Sequence, residues 1–375
     1  MKPEPGKGVA SRIGEFTFFR GRVALFAILK ELGVGKGDEV AVPAYTCVAV
    51  PEAVLASGAR PIYVDLEATG LATDAVHCDA ILSSRTKAIV VQHTFGIPAR
   101  VAAFVNLGRQ RGVPIIEDCC HTFSSTYKGR EVGTFGDAAF YSFEWGKPIV
   151  AGLGGSLVCR NAELEHRVAA SYASFKQPSF LRDLRLRAQY YAFSALYRPS
   201  LYWMIRDLKD HLTRAGLAES NYSESYGGVA GKDFGLRMAR SCRARLIGKM
   251  RALARVTQNS RFVCERYRTE IRGAIVGHVE VPAGTEPVYA RYPLWTEQKG
   301  RLLALARKAR VELAGWYATP IHPLARDEWE SVAYVAGSCP NAELRVRQIV
   351  TLPTHSRVSP RDIERTVRFF DGVTL

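Results

Sequence analysis

The chain has 375 residues, of which 47% are hydrophobic and 23% charged, and these fractions are typical of a soluble globular protein. No apolar run reaches the roughly 18 residues that a transmembrane helix needs, while the length allows a large core and two domains. The formal net charge of +15 indicates anionic partners, which include phosphorylated small molecules, anionic membranes and nucleic acids.

The N-terminus and the cysteines indicate the compartment. Residues 1–7 lead into no apolar run, so no signal peptide is expected. The eight cysteines are scattered without a CxxC pair, so neither a zinc site nor a redox motif is expected. Free buried cysteine is ordinary in apolar strands, and the cytoplasm is the expected location. Charge alone suggests nucleic acid, and without a motif we expect no nucleic-acid partner.

The first 160 residues alternate helix and strand patterns. The predicted helices are residues 22–32, 49–56 and 99–111. The predicted strands are residues 39–43, 61–65, 88–92, 114–117, 138–142 and 155–159. Continuous apolar strands that alternate with helices predict an α/β fold, in which a mostly parallel mixed sheet is covered by helices on both faces.

Residues 179–217 have a different composition. Between Phe180 and Arg206 lie seven aromatic residues and five arginines, in a pattern that predicts helices interrupted at Pro199. The ordinary interpretation is a helical excursion that packs on the body of the protein or on a partner subunit. The alternative is a helical pair at an interface, which contacts an anionic membrane or a lipid-linked substrate.

The C-terminal part of the chain predicts a smaller α/β domain. The segment 223–231 is rich in glycine and serine and is predicted to be a loop or domain joint. We therefore divide the chain into a large domain, residues 1–230, and a small domain, residues 231–375. A long helix near residues 236–271 is expected to lead into the small domain, and a helix at 360–370 to close it.

Lys147 is the most informative residue, because it follows a predicted strand that ends at Ser142 and precedes a glycine-rich run at 152–155. Another apolar strand, upstream, is followed by Asp118. Ligands of parallel sheets bind beyond the carboxyl ends of the strands, where these residues lie. Pyridoxal phosphate (PLP) chemistry needs such a set: an amine that forms a Schiff base, a carboxylate that keeps the pyridine nitrogen protonated, and a hydroxyl that donates to the phosphate.

Six short patterns occur in order along the chain. They are Gly21-Arg22-Val23-Ala24-Leu25 with Gly37-Asp38-Glu39-Val40, Val42-Pro43-Ala44-Tyr45-Thr46, His93-Thr94-Phe95-Gly96, Glu117-Asp118 with His121, Ser142-Phe143 with Lys147, and Leu352-Pro353. Together they resemble the DegT/DnrJ/EryC1/StrS family of PLP-dependent sugar aminotransferases over residues 14–370. The Ser–Lys and Asp patterns are specific, whereas the others are weak alone. The resemblance implies fold-type I, with the large domain binding the cofactor.

The resemblance also implies roles for three side chains at the cofactor ring. Lys147 would carry the cofactor and move the proton between cofactor and substrate carbon. Asp118 would pair with the pyridine nitrogen. His121 would lie near the phenolic oxygen of the ring, where many relatives have glutamine.

A second group would hold the cofactor at its phosphate end. The resemblance assigns this role to the Ser142 hydroxyl and to the backbone N–H groups of Gly21, Arg22 and Val23, since helix N-termini favour anions. Thr46, in the loop that matches the VPxxT pattern, is a further expected cofactor contact.

The chain departs from the family pattern at four places. Arg22 stands where relatives carry Thr or Ser, although its charge can also hold phosphate. Cys47 stands where an aromatic residue often stacks on the ring, and Pro148 replaces an asparagine. Residues 235–237 read Gly-Leu-Arg, where relatives have Asn-Tyr-Arg with an asparagine that reaches the partner subunit's phosphate site. These differences leave the nucleotide-sugar specificity open.

The function that the resemblance implies is transfer of an amino group, with glutamate as the expected donor, to a keto-sugar or sugar-like acceptor that is nucleotide-linked or lipid-linked. A homodimer is expected, because the family's sites are completed across a two-fold axis. Peripheral contact with the inner membrane face is the alternative that the segment 179–217 adds to a cytoplasmic location. No metal is expected.

Two other functions stay open at this stage. One is a PLP-dependent sugar dehydratase of the same fold, in which relatives replace the lysine by histidine. The other is a non-catalytic, regulatory member, which only the altered positions Cys47, Pro148 and Gly235 favour.

Four further residues could take part in a site. Tyr45 can be a cofactor contact or a loop-packing residue, and the same holds for its neighbour Thr46. His93 is expected to be structural. His322 and His355 could face the substrate from the small domain.

Overall fold

A computed structural model describes residues 9–215, 231–272 and 275–373 of the chain. The N-terminal stretch 1–7 and the predicted loop at 223–231, except for Gly231, lie outside the described residues. Across the described ranges, none of the helices combines the length and the apolarity that crossing a lipid bilayer requires.

Within these ranges the chain forms fifteen β-strands and twelve α-helices. The strands are β1 (Phe16–Phe18), β2 (Glu39–Pro43), β3 (Thr46–Cys47), β4 (Arg60–Val64), β5 (Thr86–Gln92), β6 (Ile115–Asp118), β7 (Thr126–Tyr127), β8 (Arg130–Glu131), β9 (Ala138–Ser142), β10 (Gly155–Cys159), β11 (Gly277–His278), β12 (Thr285–Glu286), β13 (Arg291–Trp295), β14 (Ile321–His322) and β15 (Ile349–Pro353). The helices are α1 (Gly21–Glu31), α2 (Ala49–Ala56), α3 (Ala75–Ile81), α4 (Val101–Arg111), α5 (Ala162–Tyr172), α6 (Phe180–Leu196), α7 (Tyr202–Arg214), α8 (Arg240–Met250), α9 (Leu253–Glu270), α10 (Lys299–Lys308), α11 (Pro340–Gln348) and α12 (Pro360–Gly372).

The large sheet has seven strands in the order β1-β10-β9-β6-β5-β2-β4. The five strands from β9 to β4 are parallel, and β10 and β1 join antiparallel at one edge. Successive side chains of a strand point to opposite faces, so Phe140 of β9 enters the core under α1 while Ala139 and Tyr141 enter the core under α8. The predicted α/β fold, with a mostly parallel mixed sheet covered by helices, is confirmed.

The smaller sheet is antiparallel, in the order β11-β13-β15. Its core is closed by helices α9, α10 and α12, which contribute Tyr267, Leu302 and Phe370 among others. Two short sheets link distant parts of the chain: β12-β7-β8, and the parallel pair β14-β3. The predicted domain boundary at 230/231 stays a prediction; it adjoins the undescribed residues 216–230.

The prediction of one long helix at residues 236–271 is wrong. The structure has α8 and α9 instead, separated at Arg251 and Ala252. The two helices serve different cores, because Cys242 and Leu246 of α8 pack on the large sheet while Val263 of α9 packs on the small one. One straight helix cannot present an apolar stripe to two cores on different sides, so the chain turns between them.

The segment 179–217 forms α6, a 3-10 turn at Pro199–Leu201, and α7, with the interruption where it was predicted. Tyr190 and Phe193 of α6 pack on Trp145, and their ring centroids lie 5.9 and 4.3 Å, respectively, from the Trp145 ring centroid. Trp203 of α7 donates from Nε1 to the carbonyl oxygen of Val311 (2.8 Å) in the small domain. These aromatic residues therefore pack inward, as the ordinary interpretation expects.

Candidate active site

The loop after β9 carries Lys147 at its tip. The loop is closed at its base by two backbone hydrogen bonds, from Phe143 N to Gly154 O and from Ala151 N to Phe143 O (2.9 Å each). Gly146 has φ of +81°, and a Cβ atom there would lie 3.3 Å from the Trp316 ring. Glycine is thus required just before Lys147, both by the left-handed backbone and by the approach of an aromatic ring.

The side chain of Lys147 is partly exposed beside the Trp316 ring, with Nζ 5.6 Å from the ring centroid. Among the described residues, Nζ forms no ion pair. Its charge nevertheless acts on the site: burial raises the pKa of Asp118, and the Lys147 ammonium partly offsets that rise. The lysine, on the loop after β9, and the aspartate, at the end of the adjacent strand β6, therefore lie at the same edge of the sheet.

Asp118 ends β6, next to β9 in the sheet, and its side chain is buried. Its Oδ1 accepts a hydrogen bond from the backbone N–H of Cys120 (2.9 Å). Because burial raises the pKa of this carboxyl group, a cation placed against it would be stabilised. A protonated pyridine nitrogen is such a cation, so Asp118 fits the role that the resemblance implies.

The first turn of α1 lies against the end of β9. A Cβ atom on Gly21 would lie 3.1 Å from Ser142 Cβ, and one on Gly155 would lie 2.4 Å from the Arg20 carbonyl oxygen. The N-cap residue Arg20 makes no side-chain cap, and within the described part of the chain the Ser142 hydroxyl makes no hydrogen bond. The Val23 N–H donates to the Arg20 carbonyl oxygen (3.2 Å). The positive helix end and the hydroxyl donor together suit a phosphate.

Arg22 and Thr46 direct their side chains to protein partners. The guanidinium of Arg22 is buried and forms an ion pair with Glu52 of α2. The hydroxyl of Thr46 donates to Gln92 Oε1 (2.7 Å). The backbone N–H of Arg22, like that of Val23, remains part of the first turn of α1. The cofactor roles of Arg22, Val23 and Thr46 stay predictions.

His121 is buried between aromatic side chains. Its Nδ1 accepts a hydrogen bond from Phe95 N (3.3 Å), and its ring is nearly parallel to that of Phe95. Burial holds the pKa of His121 well below its usual value, and the Lys147 ammonium acts in the same direction. The imidazole is therefore neutral at pH 7, with its proton on Nε2, which faces the Tyr317 hydroxyl at 3.5 Å.

Trp316 borders the lysine and Tyr317 borders His121, and neither was predicted from the sequence. Their loop is held in place by Lys299, whose Nζ donates to the carbonyl oxygens of Tyr317 (2.9 Å) and Val346 (2.6 Å). Tyr45 supports the same loop, because its hydroxyl accepts from Tyr317 N (3.3 Å). Aromatic residues in loops are ordinary, so no pattern in the sequence marks these two.

The strand pair β3-β14 brings Cys47 beside His322. Burial lowers the pKa of His322 to about 4, and the charges of Lys299 and Lys147 add to this effect. His322 is thus a neutral side chain at the edge of the site at pH 7. Its predicted contact with substrate stays a prediction.

Two other histidines have protein partners. His93 Nδ1 accepts from Ala99 N (3.1 Å), so its Nε2 donates to the buried Glu117 (3.1 Å), which is the structural role expected for it. His355 lies 3.1 Å from the Tyr197 hydroxyl, and this hydroxyl donates to Glu312 (2.8 Å). His355 and Glu312 therefore hold Tyr197, the residue that follows α6.

Comparison with known proteins gives one family model. The description of that model is the DegT/DnrJ/EryC1/StrS aminotransferase family, and the match covers residues 16–370.

Curated relatives match over part of their length. A UDP-N-acetyl-3-dehydro-alpha-D-glucosamine 3-aminotransferase of Acidithiobacillus ferrooxidans is 38% identical over 162 residues, which is 43% of each chain. A GDP-perosamine synthase of Escherichia coli O157:H7 is 38% identical over 40% of this chain and 42% of its own. An L-glutamine:scyllo-inosose aminotransferase of Streptomyces griseus is 37% identical over 44% and 40%, respectively. The chain thus spans less than half the length of these relatives.

Solved structures share the fold over nearly the whole chain. DesV of S. venezuelae, solved with a ketimine intermediate, has a TM-score of 0.72 at 23% identity, covering 94% of this chain and 83% of its own. A sugar aminotransferase of Micromonospora echinospora has a TM-score of 0.71 at 20% identity, covering 97% and 90%. A Streptococcus pneumoniae protein solved in a PLP form has a TM-score of 0.73 at 18% identity, covering 97% and 88%.

Proposed function

This chain belongs to the DegT/DnrJ/EryC1/StrS aminotransferase family, and from that membership we propose that it is a PLP-dependent aminotransferase acting on a keto-sugar or sugar-like acceptor in amino-sugar or saccharide biosynthesis. The observation that carries the proposal is the arrangement of the strand ends. Asp118 and Ser142 end the adjacent strands β6 and β9, Lys147 lies on the loop after β9, and the start of α1 lies beside Ser142.

When bound, pyridoxal phosphate supplies an aldehyde that reacts with amines and a ring that accepts electrons from the substrate carbon. Lys147 would hold the cofactor and carry a proton at Nζ between donor and acceptor carbons. Asp118 would hold the protonated pyridine nitrogen, so that the ring stays electron-poor. Neutral His121 would donate a hydrogen bond from Nε2 to the phenolic oxygen of the ring.

The phosphate would be held by backbone N–H groups of Gly21, Arg22 and Val23 and by the Ser142 hydroxyl. Since the Arg22 guanidinium is paired with Glu52, it adds less charge there than a free arginine. Trp316 would limit water at Lys147, because its ring lies against the loop tip.

The relatives' names point to the substrate classes to be tested. One name gives a UDP-linked dehydro-sugar, one gives GDP-perosamine, and one gives scyllo-inosose with L-glutamine. We keep glutamate as the expected donor. The test is a half-reaction: purified protein with PLP is mixed with glutamate or glutamine, and loss of the cofactor's visible absorbance and release of keto acid are measured. A screen of keto-substrates against the aminated protein then identifies the acceptor by return of that absorbance, with ping-pong kinetics.

The two alternatives give different results in this experiment. A non-catalytic member would bind PLP without a change in absorbance on adding any donor. A dehydratase would eliminate water from its sugar without consuming a donor, and the presence of Lys147 argues against it. Either result would contradict the proposal.

Trp316→Ala is expected to weaken PLP binding about two- to ten-fold. The ring borders the group carried on Lys147 Nζ, and aromatic contacts contribute about 0.5–1.5 kcal/mol. Trp316→Phe should restore most of the affinity, since it keeps an aromatic face. Absorbance titration with PLP measures both, and Trp295→Ala, an exposed tryptophan of β13, is the control. Unchanged affinity in Trp316→Ala would show that the ring does not border the cofactor.

We also propose a homodimer with both sites at the two-fold interface, located in the cytoplasm. The support is family membership, the frequency of two-fold dimers, and eight free cysteines, which suit a reducing compartment. Sedimentation velocity of the PLP-loaded protein should give a dimer across the concentrations at which it is active. An active monomer would rule out the dimer.

A further inference from the structure

Helices α6 and α7 each expose apolar side chains to solvent. Nine of the sixteen large apolar side chains that are exposed in the described residues lie between 180 and 212: Phe180, Leu181, Leu184, Tyr191, Leu196, Leu201, Met204, Leu208 and Leu212. Leu181, for example, is 74% exposed and Met204 58%. We term this set the outer face. Single exposed apolar residues are normal, but such a concentration marks an interaction surface.

The outer face is directed away from the body of the protein. On α6, Leu181, Leu184 and Tyr191 recur at helical spacing on one side, while the inner side packs Phe193 on Trp145. On α7, Met204, Leu208 and Leu212 are four residues apart, while Trp203 bonds to the small domain. Both inner sides are occupied, so intramolecular packing leaves the two outer sides without a cover in the described part of the chain.

Basic side chains border the outer face on α6. Arg185, Arg187 and Arg198 are exposed, whereas the exposed Arg206 lies over the Trp203 ring on the inner side of α7. The nearby carboxylates neutralise little of this positive charge, because Asp183 accepts from the hydroxyl of Ser241 and Asp207 is paired with Arg307. Asp210 is the remaining exposed carboxylate of α7.

We propose that the outer face docks on an anionic lipid surface. Helices that combine an apolar face with bordering arginines lie in the headgroup region, where the apolar side chains insert and the arginine stems extend to the phosphates. A second copy of the chain is the other occupant to be tested, and the assembly state of the serine variant described below tests it. The inference goes beyond the proposed function and does not depend on it, since docking needs no turnover.

The test is flotation of the PLP-loaded full chain with vesicles of phosphatidylcholine alone or with phosphatidylglycerol. We expect binding to the anionic vesicles only, decreasing with salt. Arg185→Glu/Arg187→Glu should weaken binding roughly thirty-fold or more, at roughly five-fold per arginine. The control Lys87→Glu/Arg109→Glu changes the net charge equally at exposed positions on β5 and α4, and it should retain most of the binding.

The apolar part is tested separately, because a protein of charge +15 can bind such vesicles through charge alone. Leu181→Ser/Leu184→Ser should reduce binding, whereas Val76→Ser/Val335→Ser, equally exposed elsewhere, should not. In the Leu184→Trp variant, the emission of the introduced tryptophan should shift to shorter wavelength when anionic vesicles are added. The proposal would be overturned if Arg185→Glu/Arg187→Glu and Lys87→Glu/Arg109→Glu lost vesicle binding equally. It would also be overturned if Leu181→Ser/Leu184→Ser bound the vesicles as well as the wild type. Absence of binding at low salt together with a smaller assembly of the serine variant would overturn it too, and would assign the face to a second copy.

Discussion

Lys147→Ala is expected to abolish covalent attachment of PLP and to reduce transamination by several orders of magnitude. The substitution removes the amine that holds the cofactor and the group that carries the proton, so two contributions vanish together. Stability should change by no more than about 0.5 kcal/mol, because the side chain is partly exposed at a loop tip and forms no ion pair in the described part of the chain.

The measurement has two readouts besides turnover. Borohydride reduction of the wild type should fix the cofactor on the peptide that contains Lys147, as mass spectrometry would show, and no label should appear in the variant. Thermal unfolding without cofactor should be the same in both. Lys36→Ala, an exposed lysine before β2, is the control and should stay active and labelled at Lys147. Transamination by Lys147→Ala at a comparable rate would refute the assignment.

Asp118→Asn is expected to slow the half-reaction with the amino donor about 10²- to 10³-fold, the range for removing one group that acts on transition-state charge. Asparagine retains the oxygen that accepts from Cys120 N but loses the charge that keeps the pyridine nitrogen protonated. Binding of PLP should change far less than the rate, since most of the cofactor contacts remain. Stopped-flow absorbance gives the rate, and titration gives the affinity.

The pKa of Asp118 supplies a check on folding. Burial raises this pKa, so the unfolded state loses the proton at lower pH than the folded state, and stability falls as pH rises through that window. At neutral pH, asparagine removes the unfavourable free energy of the buried carboxylate. The cofactor-free variant should therefore unfold at a temperature no lower than that of the wild type. Asp137→Asn is the control: Asp137 precedes β9 at the opposite edge of the sheet and accepts from Ile115 N (2.9 Å). An unchanged half-reaction rate in Asp118→Asn with PLP bound would exclude Asp118 as the ring partner.

The meeting of Asp118 and Ser142 could be predicted because it depends on local patterns. Each residue follows a continuous apolar run, and such runs between helices form parallel strands whose carboxyl ends meet at one edge. The structure has these strands adjacent, with Asp118 beside Phe140 in the register. The position of Lys147 follows in turn, since its loop starts at the same edge.

The aromatic border of the site could not be predicted in this way. Trp316 reaches Lys147 and Tyr317 reaches His121 on a loop next to β14, which pairs with β3, and each of these strands has only two residues. Two residues are too few to show a periodicity of any kind. The support from Lys299 likewise joins segments that are distant in sequence.

The sequence by itself determined the order of helices and strands and the chemical groups at the strand ends, because apolar periodicity and backbone preferences act over a few neighbouring residues. Only the tertiary structure decided that Glu52 pairs with Arg22, that the predicted helix at 236–271 divides between two cores, and which side of α6 faces solvent. Apolar residues occur on both sides of α6, at Tyr190 and Phe193 and at Leu181 and Leu184, so its period does not choose between them. The choice is made by Trp145, which packs on one side and leaves the other to solvent.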